Sequence, residues 1–404
     1  MIYLDHNATT PPAPAVVSAM LPVLSSLWAN ASSQHGPGQE ARRVLGAART
    51  TVARVLGCKP AEVVFTSGAT EANHLAVRGL LAAAPQGRRR VVFSSVEHAG
   101  HLRLARALRE GGMAVDLIPV HSDGTLDLGA AAALIGPDVA LVSLMAANNE
   151  TGVLMPVAEV AALAHAAGAR LHVDATQFIG KLPFTFAAGP PQGENGPLGG
   201  QRSVGATVST CGADAVSLSA HKLQGPKGVG ALLLRQGVPL APQTLGSQER
   251  GRRGGTENLA CIVGLAAALE LLGDVSHEAA RQARLRDALE NGLARALPAL
   301  HIWSRGVPRL PGTSYLRFGL LPAEVVLQRL ERLGVAASSG AACSSGGSEP
   351  SHVLTAMGVA CEEALGAVRV SLGRTSTAGD VEYLLAALPP LLAPLLHEEA
   401  LTSA

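Results

Sequence analysis

Ser217-Leu218-Ser219-Ala220-His221-Lys222 ends an apolar run in a hydroxyl, an imidazole and an amine. The glycine-rich Gly225-Pro226-Lys227-Gly228-Val229-Gly230 follows. A lysine partly desolvated beside other cations loses proton affinity and becomes a nucleophile towards an aldehyde. The same lysine could also be a surface residue entering a glycine turn. His172-Val173-Asp174-Ala175-Thr176-Gln177 sets an acid inside another apolar run. A carboxylate there is costly unless it is paired. A protonated pyridine nitrogen is one suitable partner; a cap on the next turn is the plainer alternative.

Phe65-Thr66-Ser67-Gly68-Ala69-Thr70-Glu71 reads as strand, small-residue turn and helix start. The free N–H groups of such a helix start converge on one point and suit a phosphate. An ordinary helix cap has the same composition. Ser95-Val96-Glu97-His98 brings an imidazole to a further strand end, able to stack on an aromatic cofactor, shuttle protons or simply cap a helix. Holding a pyridine nitrogen protonated is what makes pyridoxal phosphate (PLP) an electron sink. Glu97-His98-Ala99-Gly100-His101 lacks the HExxH zinc pattern, and no metal is assigned.

Ser338-Ser339-Gly340-Ala341-Ala342-Cys343-Ser344-Ser345-Gly346-Gly347 has no residue that can pack a core. A cysteine there is expected to be exposed on a flexible loop, and its reactivity depends on forming a thiolate. Cys58, Cys261 and Cys361 suit the other role of cysteine, that of a small buried hydrophobe.

Short apolar runs alternate with helical patterns and must position these residues. Val63–Phe65, Val91–Phe93, Val115–Val120, Val139–Met145, Leu171–Val173 and Ala215–Leu218 read as buried strands. Pro156–Gly168 and Glu278–Leu297 read as helices. Such alternation implies an α/β fold with a mostly parallel sheet covered on both faces. Ligands of such sheets bind beyond the carboxyl ends of the strands, where the polar residues above cluster. Ala187–Ser209 breaks the pattern and reads as a long loop. A change of texture near Gly255–Ala260 suggests a boundary. The expected division is a large domain, 13–259, and a small domain made of 1–12 and 260–404.

Composition narrows the class. The 404 residues carry 32 basic and 31 acidic side chains, a net charge of +1, which favours neither a nucleic-acid nor a membrane-surface partner. The cluster Arg88-Arg89-Arg90 is expected to be a solvated loop. The first residues have no basic and apolar leader pattern, and no run of about 18 uncharged apolar residues reads as a span. Five cysteines without regular spacing argue against a disulfide framework and point to a reducing, cytoplasmic setting.

Taken in order, these segments resemble the cysteine desulfurases, in the class V branch of the fold-type I PLP enzymes. The resemblance runs along nearly the whole chain. It begins at Tyr3-Leu4-Asp5-His6-Asn7-Ala8-Thr9-Thr10-Pro11 and takes in Thr66–Asn73 and Ala147-Asn148-Asn149-Glu150-Thr151-Gly152. It continues through the Lys222 stretch, Gln248–Asn258, the Cys343 loop, Ser351-His352-Val353-Leu354 and Val368–Arg374. It implies a large domain with a seven-stranded, mostly parallel sheet flanked by helices, and a smaller α/β C-terminal domain. It also implies roles. Lys222 would carry PLP, Asp174 would pair with the pyridine nitrogen, and His98 would stack over the ring and transfer protons. Asn149 and Gln177 would lie near the phenolic oxygen. Ala69, Thr70, Ser219 and His221 would bind the phosphate, with Thr256 reaching across from the second subunit of a homodimer. Arg369 would hold the carboxylate of L-cysteine, bordered by Asn149 and Asn30. Cys343 would take the sulfur as a persulfide, release alanine and pass sulfur to an acceptor protein, for iron–sulfur cluster assembly or thiolation.

The chain departs from the pattern in places. Ala31 stands where proline is expected, Gly246-Ser247 replaces a Gly-Gly pair, and Ala187–Ser209 is longer than expected. Selenocysteine lyases and cysteine-sulfinate lyases share the scaffold; the Ser-Ser-Gly-Ala-Ala-Cys-Ser-Ser stretch favours the desulfurase. A catalytically silent scaffold in a sulfur-transfer assembly would not need Lys222, Asp174, His98, Cys343 and Arg369 together.

Overall fold

Val, Leu and Ala runs without charges become strands, and the computed structural model describes them within residues 1–187, 212–340 and 349–402. Cys343, and Ala187–Ser209 beyond its first residue, lie outside the described residues. Twelve strands form among these: β1 (Ile2–Tyr3), β2 (Val63–Thr66), β3 (Arg90–Ser94), β4 (Ala114–Ile118), β5 (Val139–Met145) and β6 (Arg170–Asp174), then β7 (Ala215–Ser219), β8 (Gly230–Leu234), β9 (Leu300–Ile302), β10 (Thr313–Phe318), β11 (Val335–Ala336) and β12 (Val368–Ser371).

Seven of them make the main sheet, in the order β2-β8-β7-β6-β5-β3-β4. Only β8 runs against the rest, pairing antiparallel with both β2 and β7. All seven residues of β5 are buried, as expected of a strand covered on both faces. The expected α/β fold with a mostly parallel seven-stranded sheet is thus present. β8 was not expected, because Gly230-Ala231-Leu232-Leu233-Leu234 follows a glycine turn and carries no alternation.

Two smaller sheets, β12-β10-β9 and β1-β11, lie with a second core cluster built from Leu4, Leu289, Leu293, Leu316, Phe318 and their neighbours. The helix Leu259–Glu270 buries Ile262, Leu265, Ala266 and Leu269 in the larger cluster, with Val52, Leu56 and the sheet residues. The last helix, Ala378–Thr402, is long and apolar enough to cross a membrane by length and composition. Its Val381, Leu384, Leu388 and Leu392 are packed in the second cluster.

The arginine cluster is a solvated loop only in part: Arg89 is exposed, but its two neighbours are engaged within the protein. Arg88 donates to the carbonyls of Val139 and Ala167, and Arg90 pairs with Asp116 and Asp138 across neighbouring strands. Arg88 ties the β5 strand to the helix Val157–Ala166, a role that long-range contacts alone disclose.

Candidate active site

Parallel strands open their carboxyl ends on one edge. β6 ends at Asp174, β7 at Ser219, β2 at Thr66 and β3 at Ser94, just before Glu97-His98. These ends surround a cavity of about 510 Å³, a size suited to a cofactor. The structure brings Asp174, Gln177, Asn149, His98 and Lys222 to its walls. Ala69, Thr70, Ser219 and His221 line the same cavity. Thr256 and Asn30 do not line it; both are exposed, and Asn30 accepts the N–H of Ser32.

The Lys222 amine donates to the main-chain carbonyls of Asn7 and Ala8, at 2.6 and 2.7 Å. Asp174 is 7% exposed. Its Oδ1 accepts the Thr176 N–H at 2.9 Å and its Oδ2 the Asn73 amide at 2.7 Å. Burial alone would raise its pKa. The hydrogen bonds from Thr176 and Asn73, with the charge of His101, outweigh burial and leave the carboxyl below its ordinary value. Asp174 is therefore an anion facing the cavity.

His98 precedes the helix Ala99–Glu110, where its Nδ1 accepts the Gly100 N–H. Burial lowers its pKa; Asp174 opposes this, and Lys222 adds to it. His98 is thus held neutral, ready to accept a proton. At the opposite end, the helix Ala69–Ala82 begins at the cavity wall. Its first N–H groups have no intrahelical partner and carry the positive end of the helix dipole. Ser219, His221 and Lys227 stand beside them. Lys227, between Pro226 and Gly228, carries no sequence signal that sets it apart from a solvated lysine. Glu71 accepts the Ser67 N–H and pairs with Arg253, which fixes the turn.

This donor set fits PLP: an amine for its aldehyde, a buried anion for its ring nitrogen, and a helix N-terminus with a hydroxyl and a lysine for its phosphate.

Arg369 is 3% exposed and is engaged within the protein. It donates to Asp5 Oδ1 at 2.6 Å and to the Asn149 carbonyl at 2.9 Å. Its Nε is buried and has no partner among the described residues.

A second cavity, of about 250 Å³, shares His98 and Asn149 with the first. Its other walls include Gly340, Glu349 and Pro350, which flank the segment 341–348. Both flanks are fixed by Glu150, which is buried and accepts hydrogen bonds from Tyr315 and Ser351; Tyr315 also donates to the Ser339 carbonyl. Glu150 was quoted in the sequence only as part of a motif. Two of the three described cysteines are partly buried, but Cys361 is exposed, against expectation. Burial, then Glu62, pushes the Cys58 thiol up to about 12, so it is no nucleophile.

The profile of the family described as aminotransferase class-V matches residues 2–188 and 202–384. The chain belongs to the aminotransferase class-V family. Members of the class-V family work with PLP. Among its relatives is a cysteine desulfurase of Cereibacter sphaeroides, 46% identical over 97% of this chain and 95% of that protein. A solved structure described as a NifS-like protein superposes with a TM-score of 0.84 at 34% identity, covering 97% of this chain and 99% of the other. Another, SspA in complex with cysteine, gives a TM-score of 0.77 at 30% identity over 92% of this chain and 99% of that one.

Proposed function

We infer that the protein is a PLP-dependent cysteine desulfurase, which takes sulfur from L-cysteine onto Cys343 and releases alanine. One observation carries this reading beyond the family. The cavity with Lys222 and the cavity flanked by both ends of the Cys343 segment share His98 and Asn149. The residues on either side of the segment that contains Cys343 thus border a cavity that adjoins the Lys222 site.

PLP, when bound, supplies the sink that accepts charge from the substrate's α-carbon. Lys222 carries it and moves the α-proton. Asp174, held anionic, favours a protonated ring nitrogen. The helix N-terminus of Ala69–Ala82, with Ser219 and His221, takes the phosphate. Arg369 receives the substrate carboxylate through a planar fork, exchanging Asp5 for the new anion. His98, held neutral, takes up a proton near the reacting carbon. The Cys343 thiolate attacks the substrate sulfur. As the S–S bond forms, the Cβ–S bond breaks, its electron pair stays on carbon, and protonation there leads to alanine. The persulfide then passes to an acceptor protein, for iron–sulfur cluster assembly or thiolation.

A homodimer in the cytoplasm completes the proposal. Leu245 and Trp28 are more than four-fifths exposed, an arrangement suited to burial against a second copy, and Thr256 lies exposed to reach its cavity. Cys58, Cys261 and Cys361 are free thiols, in keeping with a reducing compartment.

The test incubates purified holoenzyme with L-cysteine and a thiol reductant, measuring alanine and sulfide together. Equal release by the wild type, with multiple turnover lost in Cys343→Ala, is expected. A Cys343→Ala variant as fast as the wild type removes Cys343 from the mechanism. A wild type that makes neither product removes the activity.

A further inference from the structure

Lys181 has no part in the chemistry above, yet it sits behind the cofactor cavity at the hub of its hydrogen bonds. Its Nζ donates to Asn7 Oδ1 and to Gln177 Oε1, each at 2.5 Å. Gln177 Nε2 donates to the Asn7 main-chain carbonyl at 2.9 Å. Asn7 Nδ2 in turn donates to the Asn149 carbonyl at 3.2 Å and to Thr313 Oγ1 at 3.0 Å.

These partners fix both amides without ambiguity. A main-chain carbonyl only accepts, so an amide nitrogen must face it. Each amide nitrogen is thus committed to a carbonyl, and each amide oxygen is left facing Nζ, which keeps at least two N–H donors as an ammonium or a free amine. Gln177 Oε1 therefore points to Lys181 and its Nε2 to Asn7. That nitrogen carries two hydrogens. Asn7 takes one, and the second belongs to the cavity that Gln177 lines.

We propose that Lys181 is a positioning residue: it locks the Gln177 amide with its donor end at the cofactor cavity, and so favours a negatively charged oxygen on the group bound there. The two ends of an amide have the same shape. Without Lys181, the Asn7 carbonyl alone opposes a rotation of Gln177 that turns its oxygen towards the cavity, where it repels an oxyanion. The proposal rests on the PLP reading above. Burial, with Lys222 and Arg369 nearby, pushes the Lys181 pKa well below that of an ordinary lysine. The two required N–H donors survive in either protonation state.

The test compares wild-type holoenzyme with Lys181→Met, Gln177→Leu and the double variant, without substrate. Two quantities are read: the pH midpoint of the change in the bound cofactor's visible absorption, and the dissociation constant for PLP added to apoenzyme. Loss of a hydrogen bond to an anionic oxygen moves the midpoint upward by about one pH unit in Lys181→Met. PLP binds several-fold more weakly. In the Gln177→Leu background, adding Lys181→Met moves the midpoint no further. An equal further shift there overturns the proposal, because Lys181 would then act through its own charge. An unmoved midpoint in Lys181→Met also overturns it. If Lys181→Met does not fold by circular dichroism, Lys181→Ala takes its place and must give the upward shift; no shift overturns the proposal. A wild type that develops no visible band with PLP overturns the cofactor reading instead.

Discussion

Asp174 shows how one side chain combines fold and chemistry. Its carboxylate accepts from Asn73 and Thr176, and the Asn73 Oδ1 beside it has no partner among the described residues. Asp174→Asn removes the charge and keeps the shape. A flip of the Asn73 amide then offers that idle oxygen to the new nitrogen. The variant is expected to melt within a few degrees of the wild type and to lose about 100-fold or more in kcat, since only the anion favours a protonated ring nitrogen. A thermal melt and a steady-state alanine assay check this; activity within threefold of the wild type would remove Asp174 from its role. At this scale the sequence was legible wherever a polar residue ended an apolar run, as Asp174, Ser219, His98 and Lys222 do. Lys181 was not legible. Gly180-Lys181 reads as a solvated turn, because the atoms that hold it belong to Asn7 and Gln177, one of them far away in the chain. Arg369 was legible as a cation near the substrate, but its pairing with Asp5 spans 364 positions and leaves no local trace.

The elements were legible where burial dictates composition. β5 spans the residues expected for it, and helix bounds differ by a few positions. β8 was missed because its apolar run follows directly on a glycine turn, and its antiparallel sense leaves no mark in composition. Gly230 opens β8, and a Cβ there would meet the Leu218 carbonyl oxygen at 2.5 Å and Gly68 main-chain atoms at 2.8 Å. Those are backbone atoms and cannot step aside as a side chain does. Gly230→Ala is expected to destabilise by about 1–3 kcal/mol. Because Gly68 heads the helix Ala69–Ala82, the same change is expected to weaken PLP retention. Gly46→Ala, whose Cβ meets nothing within 4 Å in the helix Gly36–Leu56, is the control and should leave both unchanged or raise stability slightly. Denaturant melts and PLP dialysis distinguish them; equal behaviour of the two variants would rule out the close approach as the cause.

Across the whole molecule, buried polar groups make stability depend on pH. His172 lies between Ser143 and Ser217, each 2.8 Å away, and Ser143 also meets His101. Burial, then His101, lowers the His172 pKa to about 3. Burial, then Lys181, lowers that of His6 to about 4. The unfolded chain protonates these rings below about 6.5. Between that pH and their folded values, the unfolded state binds more protons, so stability falls as pH drops. At pH 5 each contributes a loss on the order of 2 kcal/mol. Melts between pH 7 and pH 5 should show a falling midpoint, with a shallower fall in His6→Asn. A midpoint independent of pH over that interval would contradict neutral burial of both rings.

The opening residues carry a further consequence, in time rather than energy. Ile2 pairs with Val335, Asn7 takes the Ser371 hydroxyl through its N–H, and the same Asn7 holds Lys222 through its carbonyl. Chain growth at roughly 5–20 residues per second separates Asn7 from Ser371 by roughly 20–70 s. Through that interval the start of the chain has been made but its seat has not. The lysine site is therefore completed only after the residues around Ser371 have been made, and a fusion placed ahead of Ile2 meets its first test there.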